Sequence, residues 1–290
     1  MAKKAAKTGP GPMVMVALEQ HYPESERIIQ DDLAFRILPL SARASVWVKL
    51  RIMSLDSMVR WMEKRMPGMW GGFLVRKRYI DEKVVEGVGS GIEAVVNLGA
   101  GFDTRAYRLS CLADVPVWEV DQRENIDAKL VRLRKVLGEV PSNVALVPID
   151  FDREELGAVL GSHGYSASSR TFFIWEAVTQ YLTRAGIEAT FGFLSNAALG
   201  SRLAFTYVRK DFIDGKSRYG AEYLYRTVVL RDQSFLFGLD PEDVAGFLGE
   251  RGWRVLEHLG YDDLAERYVK PTGRQLLSTP LERMVFAEKL

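Results

Sequence analysis

The sequence predicts an α/β fold in which a mostly parallel sheet is covered by helices on both faces. Three observations predict it. From Ala94 onward, short apolar runs alternate with longer charged segments of helical period, the pattern of strands buried on both faces and joined by crossover helices. The chain then closes on two further apolar runs, Trp253–Leu259 and Glu282–Glu288, with no long helical pattern between them. That ending predicts an antiparallel hairpin at the sheet edge. Finally, 290 residues at 47% hydrophobic and 27% charged are enough for one large core and too apolar for a disordered chain.

Each element follows from local chemistry. Met1–Pro12 holds three lysines among Ala, Gly and Pro, with no apolar stretch behind it; it is expected to be a disordered tail and not a signal peptide. Residues 13–90 are expected to form a helical cap, because Ile28, Ile29, Leu33 and Phe35, then Val46, Leu50, Met53 and Leu55, recur at helical spacing. The glycine-rich stretch from Pro67 to Gly72 is a candidate hinge. The core is expected over 91–290, with strands at Ala94–Leu98, Val115–Val120, Val144–Ile149, Thr171–Trp175 and Leu203–Val208. Helices are expected between them at Glu124–Leu137, Arg153–Leu160 and Thr183–Leu194. Residues 209–238, rich in Tyr, Phe, Arg and Asp, interrupt the alternation and predict a lid inserted over the ligand edge. A helix at Pro241–Arg251 then resumes it, with Asp240 as N-cap and Pro241 in the first turn.

Composition excludes several functions. Thirty-nine Lys and Arg against 38 Asp and Glu give a net charge of +1, without the basic excess of a nucleic-acid binder. A single cysteine, Cys111, rules out an internal disulfide, and His21, His163 and His258 lie far apart, so no metal site is expected. No apolar stretch reaches the ~18 residues that cross a bilayer. The chain is therefore expected to be cytoplasmic, with a small molecule, and neither nucleic acid nor membrane, as its partner.

The chemistry concentrates where Val95-Val96-Asn97-Leu98 runs into Gly99-Ala100-Gly101 and a polar turn. Gly99 and Gly101 allow a ligand close to the backbone, and the helix expected next would present free N–H groups. The third glycine of a dinucleotide fingerprint is absent, with Thr104 in its place. Together with the lack of a placed Tyr-x-x-x-Lys pair or histidine, this argues against a nicotinamide oxidoreductase. An acid ends each of the next strands. Asp121, 22 residues after Gly99, is placed to accept from ribose hydroxyls. Asp150 with Phe151 suits an adenine amine and ring, and Glu176 lies at the carboxyl edge where open α/β sheets bind ligands.

The run NLGAGFDTRAYRL, the strand end WEVD and the segment IWEAVTQYLT closely resemble the leucine carboxyl methyltransferase family, including its bacterial branch of polyketide and small-molecule O-methyltransferases. The resemblance covers nearly the whole chain. It implies a class I, Rossmann-like methyltransferase with a seven-stranded, mostly parallel sheet, an antiparallel last strand, an N-terminal cap and a lid, and S-adenosylmethionine as cofactor. Carried over by position, it implies Arg76 at the methionine carboxylate, Gly99 and Gly101 along the methionine and ribose, Asp121 at the ribose, Asp150 with Phe151 at the adenine, and Glu176 at the ammonium. Arg78 and Lys77 compete for the role of Arg76, and Asp103, Arg105 and Tyr107 are expected to fix the loop. The acceptor is expected to be a hydroxyl or carboxylate of an aromatic or polyketide-like molecule, met by tyrosines of the lid and its approach, Tyr207 and Tyr223 foremost, with Tyr181, Tyr219, Tyr225 and Arg226 as further candidates. A protein C-terminal carboxylate and a non-catalytic binding module are the alternatives.

Overall fold

A computed structural model describes residues 10–290. Among the described residues five α-helices precede the sheet: α1 (Pro10–Glu19), α2 (Ala34–Ile37), α3 (Leu40–Ile52), α4 (Leu55–Arg65) and α5 (Met69–Gly89). The strands are β1 (Ala94–Leu98), β2 (Val117–Asp121), β3 (Val144–Pro148), β4 (Thr171–Trp175), β5 (Arg202–Val208), β6 (Trp253–Leu259) and β7 (Glu282–Lys289). Between them lie α6 (Arg105–Arg108), α7 (Arg123–Leu137), α8 (Leu156–Ser162), α9 (Arg184–Leu194), α10 (Lys210–Ile213), α11 (Glu222–Tyr225), α12 (Val244–Gly249) and α13 (Tyr261–Tyr268). The sheet order is β3-β2-β1-β4-β5-β7-β6. β1 to β5 pair in parallel, and β7 runs antiparallel to both its neighbours. This is the doubly wound arrangement, with its switch point between β1 and β4.

Period-two burial builds two cores on opposite faces of the sheet. Val95, Val117, Phe172 and Phe286 face the N-terminal helices in one apolar cluster that also holds Met13, Trp70, Leu74 and Tyr79. Val96, Trp118, Phe173 and Phe205 face α8, α9 and α12. The helices of 13–90 therefore share a core with the sheet, and the division expected near residue 90 is not marked by a core of their own.

Three expectations are refined by the structure. Pro10, Gly11 and Pro12, expected within a disordered tail, open α1 instead; the rest of that stretch lies outside the described residues. The two last strands pair antiparallel at the sheet edge, as expected, but no tight turn joins them. The connection folds as α13, and β7 inserts between β5 and β6, leaving β6 at the edge. Two of the three glycines of the candidate hinge, Gly68 and Gly71, are packing positions. A Cβ on Gly68, at φ +75°, would lie 2.6 Å from Thr279, and one on Gly71 would overlap the Tyr261 ring. Glu63 from α4 further fixes this turn, its carboxylate accepting the Gly68 and Trp70 N–H groups at 2.9 and 3.2 Å.

Residues 209–238 hold α10, α11 and one π-helical turn at 226–231, around a small apolar cluster of Phe212, Leu224, Tyr225 and Phe235. Asp240 makes no side-chain cap, and the helix after it starts as a 3-10 turn before α12.

Candidate active site

The signature after β1 acts mainly on itself. Gly99 (φ +73°) and Gly101 (φ +46°) turn the chain back toward β2, where Gly99 and Ala100 N–H donate to the Val120 carbonyl at 2.7 and 3.0 Å. The two glycines are required for different reasons. A Cβ on Gly99 would overlap Val178, whereas a Cβ on Gly101 meets nothing within 4 Å and would project into the cavity that this turn helps to wall. Gly101 is thus the position where the backbone leaves room for a ligand.

The helix expected behind the turn is a single turn, α6, and its N-terminus is not free. The Asp103 carboxylate accepts the Arg105 N–H at 2.8 Å. Arg105, 2% exposed, donates to Asp81 at 2.7 Å, to Glu176 at 2.8 Å, to the Lys77 carbonyl at 3.1 Å and to Asp103. Tyr107 donates to buried Glu119 of β2 at 2.6 Å, beside Lys129 at 2.7 Å. Arg108 donates to Asp81 at 2.6 Å, and Thr104 to Asp31 at 2.5 Å. The conspicuous motif therefore ties the glycine turn to α5, β2 and the segment before α2, as expected of Asp103, Arg105 and Tyr107.

Around that frame the strand-end acids converge. Asp121 is 7% exposed and accepts the Gly101 N–H at 2.6 Å, the Gln122 N–H at 2.6 Å and the Asn125 amide at 2.8 Å. Burial pushes its carboxyl upward, and these donors hold it down in part. Glu176 accepts from Arg76 Nε at 2.9 Å, Arg105 at 2.8 Å and Lys77 Nζ at 3.3 Å. Burial opposes its ionisation, but Lys77, Arg105 and Arg76 prevail and lower its pKa to about 2. Arg76 also donates to Glu282 of β7 at 2.6 Å. Of the competing cations, Arg78 points to exposed Glu82 instead. Asp150 and Phe151 stand at the cavity rim beyond β3, the Asp150 carboxylate accepting the Asp152 N–H at 3.1 Å.

One cavity of about 750 Å³ joins Arg76, Gly99, Gly101, Asp121, Asp150, Phe151 and Glu176. Its other half is apolar, walled by Met62, Met66, Met69, Phe73, Phe235 and Leu281 among others, with Tyr181 on its edge. The two tyrosines expected to position an acceptor lie outside it. Tyr207 is fully buried in the core between the sheet and α9, its hydroxyl 2.8 Å from His258 Nε2. It points there because β5 alternates, and Val208 is the neighbour that reaches the cavity. Tyr223 is exposed on the outer side of α11, while Leu224 lines the cavity. Tyr219 donates to Asp211 and Tyr225 packs under Arg218, so neither faces the cavity.

Residues that sequence reasoning left aside also line it. Asn97, Lys77 and Asp103 do so; Asn97 and Asp103 stood in the run NLGAGFDTRAYRL, and Lys77 as a competitor of Arg76. Glu282 carried no sequence signal. Neither did Ala177, which follows Glu176 at φ +57°, a backbone region that costs a non-glycine residue roughly 1–2 kcal/mol. Among the described residues no group of His, Cys, Asp and Glu side chains is arranged to hold a metal.

An open parallel sheet whose strand ends present acids beside a glycine turn defines a nucleoside-binding α/β protein. The family description leucine carboxyl methyltransferase matches residues 11–195. A Streptomyces coelicolor protein named as an S-adenosyl-L-methionine-dependent methyltransferase is 30% identical over 290 residues, covering 94% of this chain and 89% of its own. One from Mycolicibacterium gilvum is 34% identical over 228 residues, covering 77% and 74%. The crystal structure of a Thermobifida fusca protein described as a methyltransferase shares the fold, with a TM-score of 0.57, 16% identity, and coverage of 82% and 89%. The chain belongs to the leucine carboxyl methyltransferase family and is an S-adenosylmethionine-dependent methyltransferase.

Proposed function

We propose that the enzyme transfers the methyl group to a hydroxyl or carboxylate oxygen of a small, largely apolar molecule. The observation that carries this reading is the continuity of the cavity. Polar strand ends and a methionine-rich apolar wall enclose one space of about 750 Å³, the size of a drug-like ligand site. A polypeptide end is less well served, since its peptide N–H and C=O groups would meet thioethers and aliphatic carbons instead of hydrogen-bond partners.

The polar half suits the cofactor. Gly101 leaves open the space that a side chain would fill. Asp121, held by backbone donors, is oriented to accept ribose hydroxyls; Phe151 offers a ring face and Asp150 an acceptor for the adenine end. Arg76, a planar bidentate donor, would hold the methionine carboxylate, and Glu176, ionised at neutral pH, would face the ammonium. The bound cofactor supplies an electrophilic sulfonium methyl. The chain's part is to orient the acceptor oxygen and keep water away, which the apolar half does by its composition. Glu176 is too acidic to take a proton. His258 is held neutral, its pKa lowered to about 4 by burial and by Arg283, but it stands behind Tyr207 and does not line the cavity. An ionised carboxylate needs no base in this reaction, whereas a phenol benefits from one.

Titration calorimetry with S-adenosylmethionine and S-adenosylhomocysteine, with NADH as control, is the first test. A panel of apolar phenols and carboxylic acids would follow, read by S-adenosylhomocysteine release. Binding of both sulfur ligands and turnover with an apolar acid or phenol is expected. Turnover confined to peptides ending in a free carboxylate would overturn the small-molecule reading.

A further inference from the structure

Helix α3 is the least buried helix of its length in the molecule: of its 13 residues only Val46 is buried. Its inner side, through Ala42, Ser45 and Lys49, forms part of the cavity wall. Its outer face is apolar. Leu40, Ala44, Trp47, Val48 and Ile52 recur there at i, i+4, i+7, i+8 and i+12, with Arg51 between them. Leu40, Trp47 and Ile52 are 66, 57 and 76% exposed, and Trp61 on α4 is 51% exposed. Arg51 and Arg65 lie over the rings of Trp47 and Trp61 at 4.6 and 4.4 Å. Large exposed apolar side chains grouped on one face mark an interaction surface.

We propose that α3 and α4 dock on an anionic phospholipid surface, with the outer face of α3 entering the headgroup region. Charge selects this occupant. With Lys49 turned to the cavity, residues 40–66 still contain Arg43, Arg51, Arg60, Lys64 and Arg65 against Asp56 and Glu63. Glu63 is buried and spent on backbone N–H groups, so the face is strongly cationic on a protein whose overall charge is +1. A second copy placed there across a two-fold axis would set like charges against each other. A bilayer of anionic lipids instead satisfies cations, tryptophans and aliphatic side chains together. The contact is interfacial, since among the described residues no helix is long and apolar enough to cross a membrane. Because the opposite side of the same helix walls the cavity, docking would let an apolar acceptor pass from the lipid into the site; that consequence rests on the proposed function, whereas the docking does not.

The test is co-sedimentation of the full chain with vesicles of phosphatidylcholine containing a third phosphatidylglycerol, and with pure phosphatidylcholine. Binding to the anionic vesicles is expected, weakened at least tenfold on pure phosphatidylcholine and at least tenfold by the double substitution Trp47→Ser with Ile52→Ser. A second pair, Leu40→Ser with Val48→Ser, should act in the same direction. Both variants should keep the wild-type affinity for S-adenosylhomocysteine, because none of these four residues lines the cavity. Absence of vesicle binding, binding indifferent to both pairs, or a concentration-dependent dimer that the substitutions dissolve would overturn the proposal. Acceleration of methyl transfer to an apolar acid by anionic vesicles would support delivery. Docking without acceleration would count against the acceptor reading and leave the surface assignment standing.

Discussion

Gly99 and Gly101 are two residues apart and look alike in sequence, yet they answer to different neighbours. Gly101→Val is expected to abolish S-adenosylmethionine binding while the thermal midpoint moves little beyond the cost of its positive φ, because the new side chain projects into the cavity. Gly99→Val is expected to lower stability as well, since it must displace Val178. Calorimetry and thermal denaturation on the same two variants separate the cases; equal loss of stability in both would refute the assignment. Asp121→Ala removes the strand-end carboxylate proposed for the ribose and should weaken cofactor affinity by about 1–3 kcal/mol, roughly 5- to 150-fold. Unchanged affinity would take Asp121 out of the site. Tyr207→Phe bears on the opposite case. Its hydroxyl is engaged with His258 in the core, so kcat and KM should remain within about twofold of wild type while stability falls by about 1 kcal/mol.

At the scale of elements, most of the sheet was legible because fully buried parallel strands need continuous apolar runs, and five such runs stand out between charged helices. β1, β4 and β6 match their expected bounds, β3, β5 and β7 shift by one residue at one end, and β2 shifts by two at its start and one at its end. What composition could not convey was contact between distant segments. Nothing local to Glu282 or Glu63 distinguishes them from solvated acids. Glu282 acquires its place because β7 threads between β5 and β6 and brings it to Arg76. Glu63 acquires its own because α4 ends where α5 begins. The candidate site was legible for the opposite reason. Gly101, Asp121, Asp150, Phe151 and Glu176 sit at ends of successive strands, and parallel topology alone carries them to one edge. The acceptor side was not, because helix and strand phase decide which tyrosines face inward. Phase placed Val208 and Leu224 in the cavity in place of their neighbours Tyr207 and Tyr223. Glu63 offers the test of an element-scale claim. Glu63→Ala would orphan two buried N–H groups at the start of α5 and is expected to cost about 1–3 kcal/mol in urea denaturation. A change below half a kcal/mol would show that water replaces the cap.

For the molecule as a whole, the decisive feature is that the proposed cofactor site and the junction between N-terminal helices and sheet are the same charged cluster. Arg76 and Lys77 from α5, Arg105 and Asp103 from the turn after β1, Glu176 after β4 and Glu282 from β7 are joined in one network. The cluster makes folding depend on pH in a direction that follows from its carboxylates. Glu176 has its pKa lowered from 4.5 to about 2, and Asp103 is held well below the usual carboxylate range by Arg105 and Lys77 in spite of burial. A lowered folded-state pKa means that the unfolded chain binds the proton first, so the stability contributed by Glu176 is fully present above pH 4.5 and is lost as pH falls toward 2. Asp31, Glu63, Glu119 and Asp121, whose carboxyls burial raises, work in the opposite sense and soften the slope, while Asp211, Glu257 and Glu288, lowered by their cationic or hydrogen-bonding partners, add to it. Urea denaturation midpoints should therefore be steady from neutrality down to about pH 5 and fall steeply below it. Glu176→Gln should cost about 3–5 kcal/mol at neutral pH by leaving buried cations uncompensated, and should flatten that acid limb. Because the same carboxylate is proposed to face the ammonium, the variant should lose cofactor affinity even where it remains folded. A wild-type midpoint that stays constant down to pH 3 would show that the cluster does not hold the helices to the sheet.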